Sequence, residues 1–159
     1  MSGLKDEIGK RSPFELIEQE AYLNLLRTRS VLDADIAALF KARGLSEATY
    51  NALRILRGEM QAGAAGVPCQ VIGERLISRV PDVTRLIDRL EESGLAKRAR
   101  TTQDRRIVLV SITKKGLALL ESLDKPLMEL HKRMLRHMSR EELTELNRLL
   151  VKARHPEGN

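Results

Sequence analysis

Residues 71–113 read VIGERLISRVPDVTRLIDRLEESGLAKRARTTQDRRIVLVSIT. This stretch parses into a short helix, a tight turn, a second amphipathic helix and a basic hairpin. Val80, Val83, Ile87, Leu90 and Leu95 fall close to one helical face, while Arg79, Asp82, Arg85 and Arg89 fall mostly away from it. Ser78 is a good N-cap, Pro81 is tolerated only in a first helical turn, and Gly94 is where a helix stops. The pattern predicts a helix from Arg79 to Ser93 as the second member of a helix-turn-helix, the arrangement that places one helix in a DNA major groove.

After Gly94 the period changes. Ile107 to Ile112 is apolar and largely β-branched, which predicts a strand, with Leu95 to Arg100 as its antiparallel partner and Thr101 to Arg105 as the polar tip. Between Lys97 and Thr113 stand five basic residues and one acid, Asp104. The whole chain carries 28 Lys and Arg against 22 Asp and Glu, net +6. From Arg75 to Lys115 there are 11 basic and 5 acidic residues, so this segment alone accounts for the entire excess. A basic field confined to one segment is the electrostatic footprint of phosphate binding.

Composition narrows the alternatives. The 159 residues suffice for one domain with extensions, and a 42% hydrophobic content suffices for its core. No apolar run approaches the roughly 18 residues that span a bilayer, and the first 15 residues lack the apolar core of a signal peptide. A soluble, cytoplasmic protein without membrane partners is the expectation. One Cys excludes an internal disulfide framework and a multi-thiolate metal site. The two Phe, two Tyr and absent Trp leave little for bases to stack on, which favours duplex DNA over single strands or RNA. No phosphate-binding Gly loop, Cys/His nucleophile pair or metal-ligand cluster points to an enzyme.

The remaining segments frame the basic one. Residues 1 to about 12 read as a disordered or loosely docked arm. Phe14, Ile17, Ala21, Leu25, Thr28, Leu32, Ile36 and Leu39 follow steps of three and four, predicting a long helix ended by Gly44. That is longer than a small core needs and suggests a spacer or an interface. Ser46 caps a second helix to about Met60, with Leu53, Leu56 and Met60 facing the core. A loop of small residues follows, closed by Pro68, and Cys69 starts the next helix as a passive residue. Beyond the hairpin, Thr113 caps another long helix bearing Leu117, Leu120, Leu123, Leu127, Leu130 and Met134, which Pro126 should kink or split. His131 and His137, six apart, cannot share a face, so no metal site is expected on them. Ser139 to Glu142 is a capping box opening a last helix with Leu143, Leu146, Leu149 and Leu150 on its apolar face. The outer helices carry apolar stripes longer than one small head can cover, and a twofold dimer is the economical way to bury them.

The phrases PDVTRLIDRLEESGLAKR and DRRIVLVSITKKG together resemble the multiple antibiotic resistance regulator (MarR) family of winged-helix transcription factors. The second phrase is similar to the family's wing signature of Asp, any residue, Arg, a strand, then Thr and Gly. The resemblance covers most of residues 14 to 152. It implies a fold that is mainly α with a small β-hairpin wing: a winged helix-turn-helix lobe over 45–112, and dimerisation helices over 14–44 and 113–153, in a single domain over 1–159. It further implies a homodimer on a short pseudo-palindromic operator, with the 79–93 helix in the major groove and Arg106 in the minor groove, held by Asp104. Many members answer to small, often aromatic or phenolic, effectors between the dimer helices and the reading heads. Others use a thiol near the start of the first helix, and residues 10 to 30 contain no Cys. The loop from Gln61 to Pro68 is longer than the family's usual one. Neither an effector's identity nor its pocket residues can be read from the sequence.

The candidate DNA-binding residues are Ser78, Arg79, Asp82, Thr84, Arg85, Arg89, Arg98, Arg100, Asp104, Arg105 and Arg106. Arg85 can contact guanine bidentately or a phosphate; Thr84 and Asp82 can reach base edges or phosphates. Asp104 can orient Arg105 or Arg106, or pair with Arg98 or Arg100 across the hairpin. The candidate dimer residues are Phe14, Ile17, Ala21, Leu143, Leu146 and Leu150. No catalytic or metal site and no cofactor are expected beyond a small-molecule effector. The competing reading is a winged helix for nonspecific, architectural DNA binding or protein contact, which lacks a specificity ratio between operator and random duplex.

Overall fold

A computed structural model describes residues 3–100 and 107–155 of the chain. Its elements are α1 (Leu4–Glu7), α2 (Ile17–Lys41), α3 (Glu47–Gln61), β1 (Val67–Pro68), α4 (Cys69–Arg75), α5 (Val83–Glu92), β2 (Ala96–Arg100), β3 (Val108–Ile112), α6 (Lys114–Leu135) and α7 (Arg140–Arg154). The fold is mainly helical with one small antiparallel sheet, as expected from the sequence.

Local signals set most boundaries. Ser46 Oγ accepts from Thr49 N, and Thr49 Oγ1 in turn accepts from Ser46 N, so α3 opens on a capping box. Ser139 and Glu142 do the same for α7, and Thr113 accepts from Gly116 N to open α6. Gly94 ends α5 with φ 70°, allowing Leu95 N to donate to Leu90 O at 2.8 Å across the reversed turn.

The sheet has the order β1-β3-β2, both pairs antiparallel. β2 and β3 form the expected hairpin, running from Ala96 opposite Ile112 to Arg100 opposite Val108. β1 adds Val67 opposite Val110 from within the loop of small residues, so part of that loop is fixed to the sheet. Pro68 is tolerated there because β1 is an edge strand.

One core joins the head to the flanking helices. Leu53 and Leu56 of α3, Ile72 of α4, Ile87 and Leu90 of α5, Val110 of β3, and Leu120 and Leu123 of α6 are all at most 2% exposed. Arg57 of α3 clasps Asp124 of α6 through two bonds, 2.7 and 2.8 Å, which hold the Asp124 carboxyl below the usual carboxylate range.

Several expectations need correction. The N-terminal arm is docked: α1 packs on α2 and Leu4 is buried. The stripe of α2 divides in two, its C-terminal end entering the core through Ile36, Leu39 and Phe40 while Ile17 and Leu25 stay exposed. Met60 is exposed rather than in the core, because α3 runs past the core's edge in its last turn. Pro126 does not split α6, which continues from Lys114 to Leu135. Proline removes only its own N–H bond, and Leu123, Leu127 and Leu130 remain buried on either side to hold the helix.

Candidate nucleic-acid interface

The α4–turn–α5 unit is built around a short extended stretch. Leu76 ends α4 in β conformation, and Asp82 caps α5 by accepting from Arg85 N at 3.0 Å. The expected start at Ser78 is therefore four residues too early. Val80 precedes a proline, which disfavours helical backbone at that position, and with Asp82 as cap Pro81 stays outside the helix. Ser78 turns inward instead, donating to Glu47 Oε1 at 3.4 Å. Leu86, Ile87 and Leu90 bury one face of α5.

Two outer stripes of α5 remain. Arg85 and Arg89 occupy one and are exposed. Arg85 extends into solvent at 80% side-chain exposure, its Nε 3.1 Å from Asp82 Oδ2. The other stripe, Thr84, Asp88 and Glu91, abuts β2, with the Thr84 side chain still exposed. Asp82 has a structural task as cap, which leaves Arg85 as the outward group nearest the helix start.

The wing strands divide their basic residues. Lys97 and Arg100 are exposed, as is Arg79 in the turn. Arg98 is not: its guanidinium lies against α5, bonded to Asp88 and Glu91, with its side chain 22% exposed. It does not point outward with the other arginines. Its backbone N–H and then its side chain hold the Glu91 carboxyl below the usual range. Burial works against the Arg98 charge, but the bonds to Asp88 and Glu91 outweigh it and raise its pKa. Asp104, Arg105 and Arg106 lie outside the described residues. Lys115, at the start of α6, donates to Ser93 O at 2.8 Å and so places a cation at the C-terminus of α5.

The flanking helices present uncovered apolar surface. Within α2 only Phe40 is buried, and α7 has no buried residue. Of the expected dimer residues, Ile17 is 77% exposed, Ala21 is exposed, and Phe14, Leu143, Leu146 and Leu150 are half-buried. Leu149, on the expected stripe of the last helix, is exposed too, and Tyr22, Leu26, Val31 and Val151, which the stripes did not single out, extend the same apolar surfaces.

A cavity of about 300 Å³ lies where α2, α3, α6 and the turn before α5 meet. Phe40 and Tyr50 stack in its wall with ring centroids 4.4 Å apart. Arg54, which donates to the Tyr50 hydroxyl at 3.1 Å, adds a cation, Asn51 and His131 add polar groups, and Ile77 brings in the turn itself. No motif marks this site, because its walls come from segments far apart in sequence.

A two-helix reading unit backed by a hairpin, with its exposed arginines on the outer stripe of the second helix, defines a winged helix-turn-helix DNA-binding protein. The model of the MarR family matches residues 45–108, from α3 into β3. The HTH-type transcriptional regulator PecS of Dickeya dadantii is 31% identical over 126 residues, covering 79% of this chain and 75% of that one. The HTH-type transcriptional repressor IacR of Pseudomonas putida is 29% identical over 79 residues, 50% of this chain and 47% of its own. The crystal structure of a MarR transcription factor from Planctomyces limnophilus superimposes with a TM-score of 0.65 at 41% identity, covering 87% of this chain and 98% of that one. The chain belongs to the MarR family and is a DNA-binding transcriptional regulator.

Proposed function

We propose that the protein is a ligand-responsive repressor that binds a pseudo-palindromic duplex operator as a homodimer and has no enzymatic activity. The observation that carries the reading is α5: its buried face is anchored in the core while Arg85 and Arg89 are exposed away from it. Residues 45–112 form the DNA-binding lobe; 14–44 and 113–153 form the dimerisation region. Two copies joined through α2 and α7 cover the apolar surfaces that a single chain leaves in water, and set the two α5 helices about one DNA turn, roughly 34–36 Å, apart. Arg79, Thr84, Arg85, Arg89 and Arg100 contact DNA directly, and Arg106 enters the minor groove with help from Asp104. The protein works in the cytoplasm, and no helix among the described residues is long and apolar enough to cross a membrane.

The cavity beside Phe40 and Tyr50 is the effector site of this reading. Its stacked rings suit a flat aromatic body, and Arg54, Asn51 and His131, with the acids Asp33 and Glu47 beside them, suit a polar substituent. Ile77 lines the cavity next to Ser78, so a ligand there presses on the turn that leads into α5. The test is protection of the region upstream of the protein's own gene, combined with light scattering. Protection of an inverted repeat by a two-chain species is the expected result; a one-chain mass at micromolar concentration contradicts it.

A further inference from the structure

We infer that Arg98 is a positioning residue: it docks the wing on the reading helix and covers two carboxylates of that helix, and it does not contact DNA phosphate. The inference rests on the DNA-binding reading above and concerns how the reading head is held in shape.

Arg98 sits on β2 opposite Val110, which is fully buried. Strand alternation puts its side chain on the same face as Ala96, itself 2% exposed. From there Arg98 reaches three residues on one stripe of α5, spaced by four and then three. Nη1 donates to Asp88 Oδ1 at 2.6 Å and to Glu91 Oε2 at 2.8 Å; Nη2 donates to Thr84 O at 3.2 Å. The Arg98 backbone N–H adds a bond of 3.0 Å to Glu91 Oε1. One planar, multi-donor group thus joins β2 to two turns of α5, a geometry that a single ammonium cannot reproduce.

The charges matter as much as the contacts. Asp88 and Glu91 are acids on the reading helix, in a segment whose net positive charge draws DNA. Arg98 pairs with both and offsets one of their two charges, while Arg85 and Arg89 stay exposed on the neighbouring stripe. To reach a phosphate, Arg98 would have to give up bonds to both carboxylates and expose them to the same phosphate backbone.

The experiment uses the full chain, a duplex that the parent selects from a random library, and a random duplex of equal length. Affinities are referred to the active fraction found by stoichiometric titration, across a salt series, for the parent, R98A, R98K, D88N/E91Q and the triple variant D88N/E91Q/R98A. R98A is expected to weaken binding at least tenfold on both duplexes, and R98K to recover little. In the D88N/E91Q background the same R98A change should cost less than threefold and leave the salt slope unchanged. A direct phosphate contact instead costs the same factor in both backgrounds, lowers the slope by about 0.9 and is largely restored by lysine; that result overturns the inference. An R98A loss that vanishes once only active protein is counted overturns it too, as does parent-like binding by R98A. If R98A does not fold, R98K decides the question alone: near-parent affinity is the contrary outcome. A parent with equal affinity for both duplexes removes the sequence-specific reading and leaves Arg98 to be judged on random duplex. A parent that binds no duplex removes both.

Discussion

Replacing Gly116 with alanine tests how the wing is joined to α6. The glycine lies in the first turn of α6, where its N–H donates to Thr113 Oγ1 at 3.1 Å. A methyl group there would sit 2.4 Å from Leu95 O and 2.8 Å from Ile112 Cγ1. Carbon–oxygen contacts ordinarily begin near 3.3 Å, so the mismatch is about 1 Å. The carbonyl cannot easily give way, because it accepts from Thr113 N at 3.1 Å and from Thr113 Oγ1 at 3.2 Å. Overpacking against fixed backbone costs about 2–3 kcal/mol, the upper part of the usual range. Alanine returns up to about 1 kcal/mol of helix propensity. The net destabilisation is about 1–2 kcal/mol, and in a chain of this size it lowers the melting temperature by about 2–8 °C. Calorimetry measures this directly, and operator binding should weaken as well, since Leu95 leads into β2. A Gly116→Ala variant as stable as the parent would refute the packing argument. The same geometry explains why the family's wing signature closes on Thr and Gly: one hydroxyl and one missing Cβ fix the join.

Three other outcomes follow from the site. Arg85→Ala should cost about 1–3 kcal/mol of operator affinity and relax preference at one position per half-site if Arg85 reads a base, with melting unchanged; unchanged affinity removes Arg85 from the interface. Arg106→Ala should weaken operator binding tenfold or more, with a larger loss on A·T-flanked sites, and Arg106→Lys should recover part of it; an alanine variant that binds like the parent counts against the wing contact. The Arg57–Asp124 clasp predicts a pH dependence. Because Asp124 is depressed in the folded state, its contribution is full above the ordinary carboxylate pKa near 4 and fades as pH falls through the lower folded value. Asp124→Asn should therefore cost about 1 kcal/mol at pH 7, a modest figure because the Asp124 side chain is 40% exposed. The gap between variant and parent should close under acid; a gap constant down to pH 2 disproves the assignment.

Features decided within one or two helical turns were open to sequence reasoning. The caps at Ser46, Thr113 and Ser139 and the stop at Gly94 depend on neighbours three to five residues away. The start of α5 was harder, because Ser78 and Asp82 are both competent caps and the choice rests partly on Glu47, 31 residues away from Ser78. β1 was invisible, since two residues carry no period and pair only when β3 is beside them. The basic count from Arg75 to Lys115 located the reading head, but could not tell an arginine facing DNA from one facing protein. Arg98 falls in the second group through the register of β2 against α5, which no local pattern encodes. The cavity was hidden for a similar reason: Phe40, Tyr50, Ile77 and His131 meet only in three dimensions.

Sequence-specific reading of duplex DNA by a paired head underlies the proposed function. Selection of binding sites from a random duplex library by the purified full chain tests it most directly. The expected result is enrichment of an inverted repeat whose half-site centres lie about 10–10.5 base pairs apart, bound at least about 10³-fold more tightly than random duplex at physiological salt. A library that stays random through successive rounds, with all duplexes bound equally and released together by salt, would contradict it.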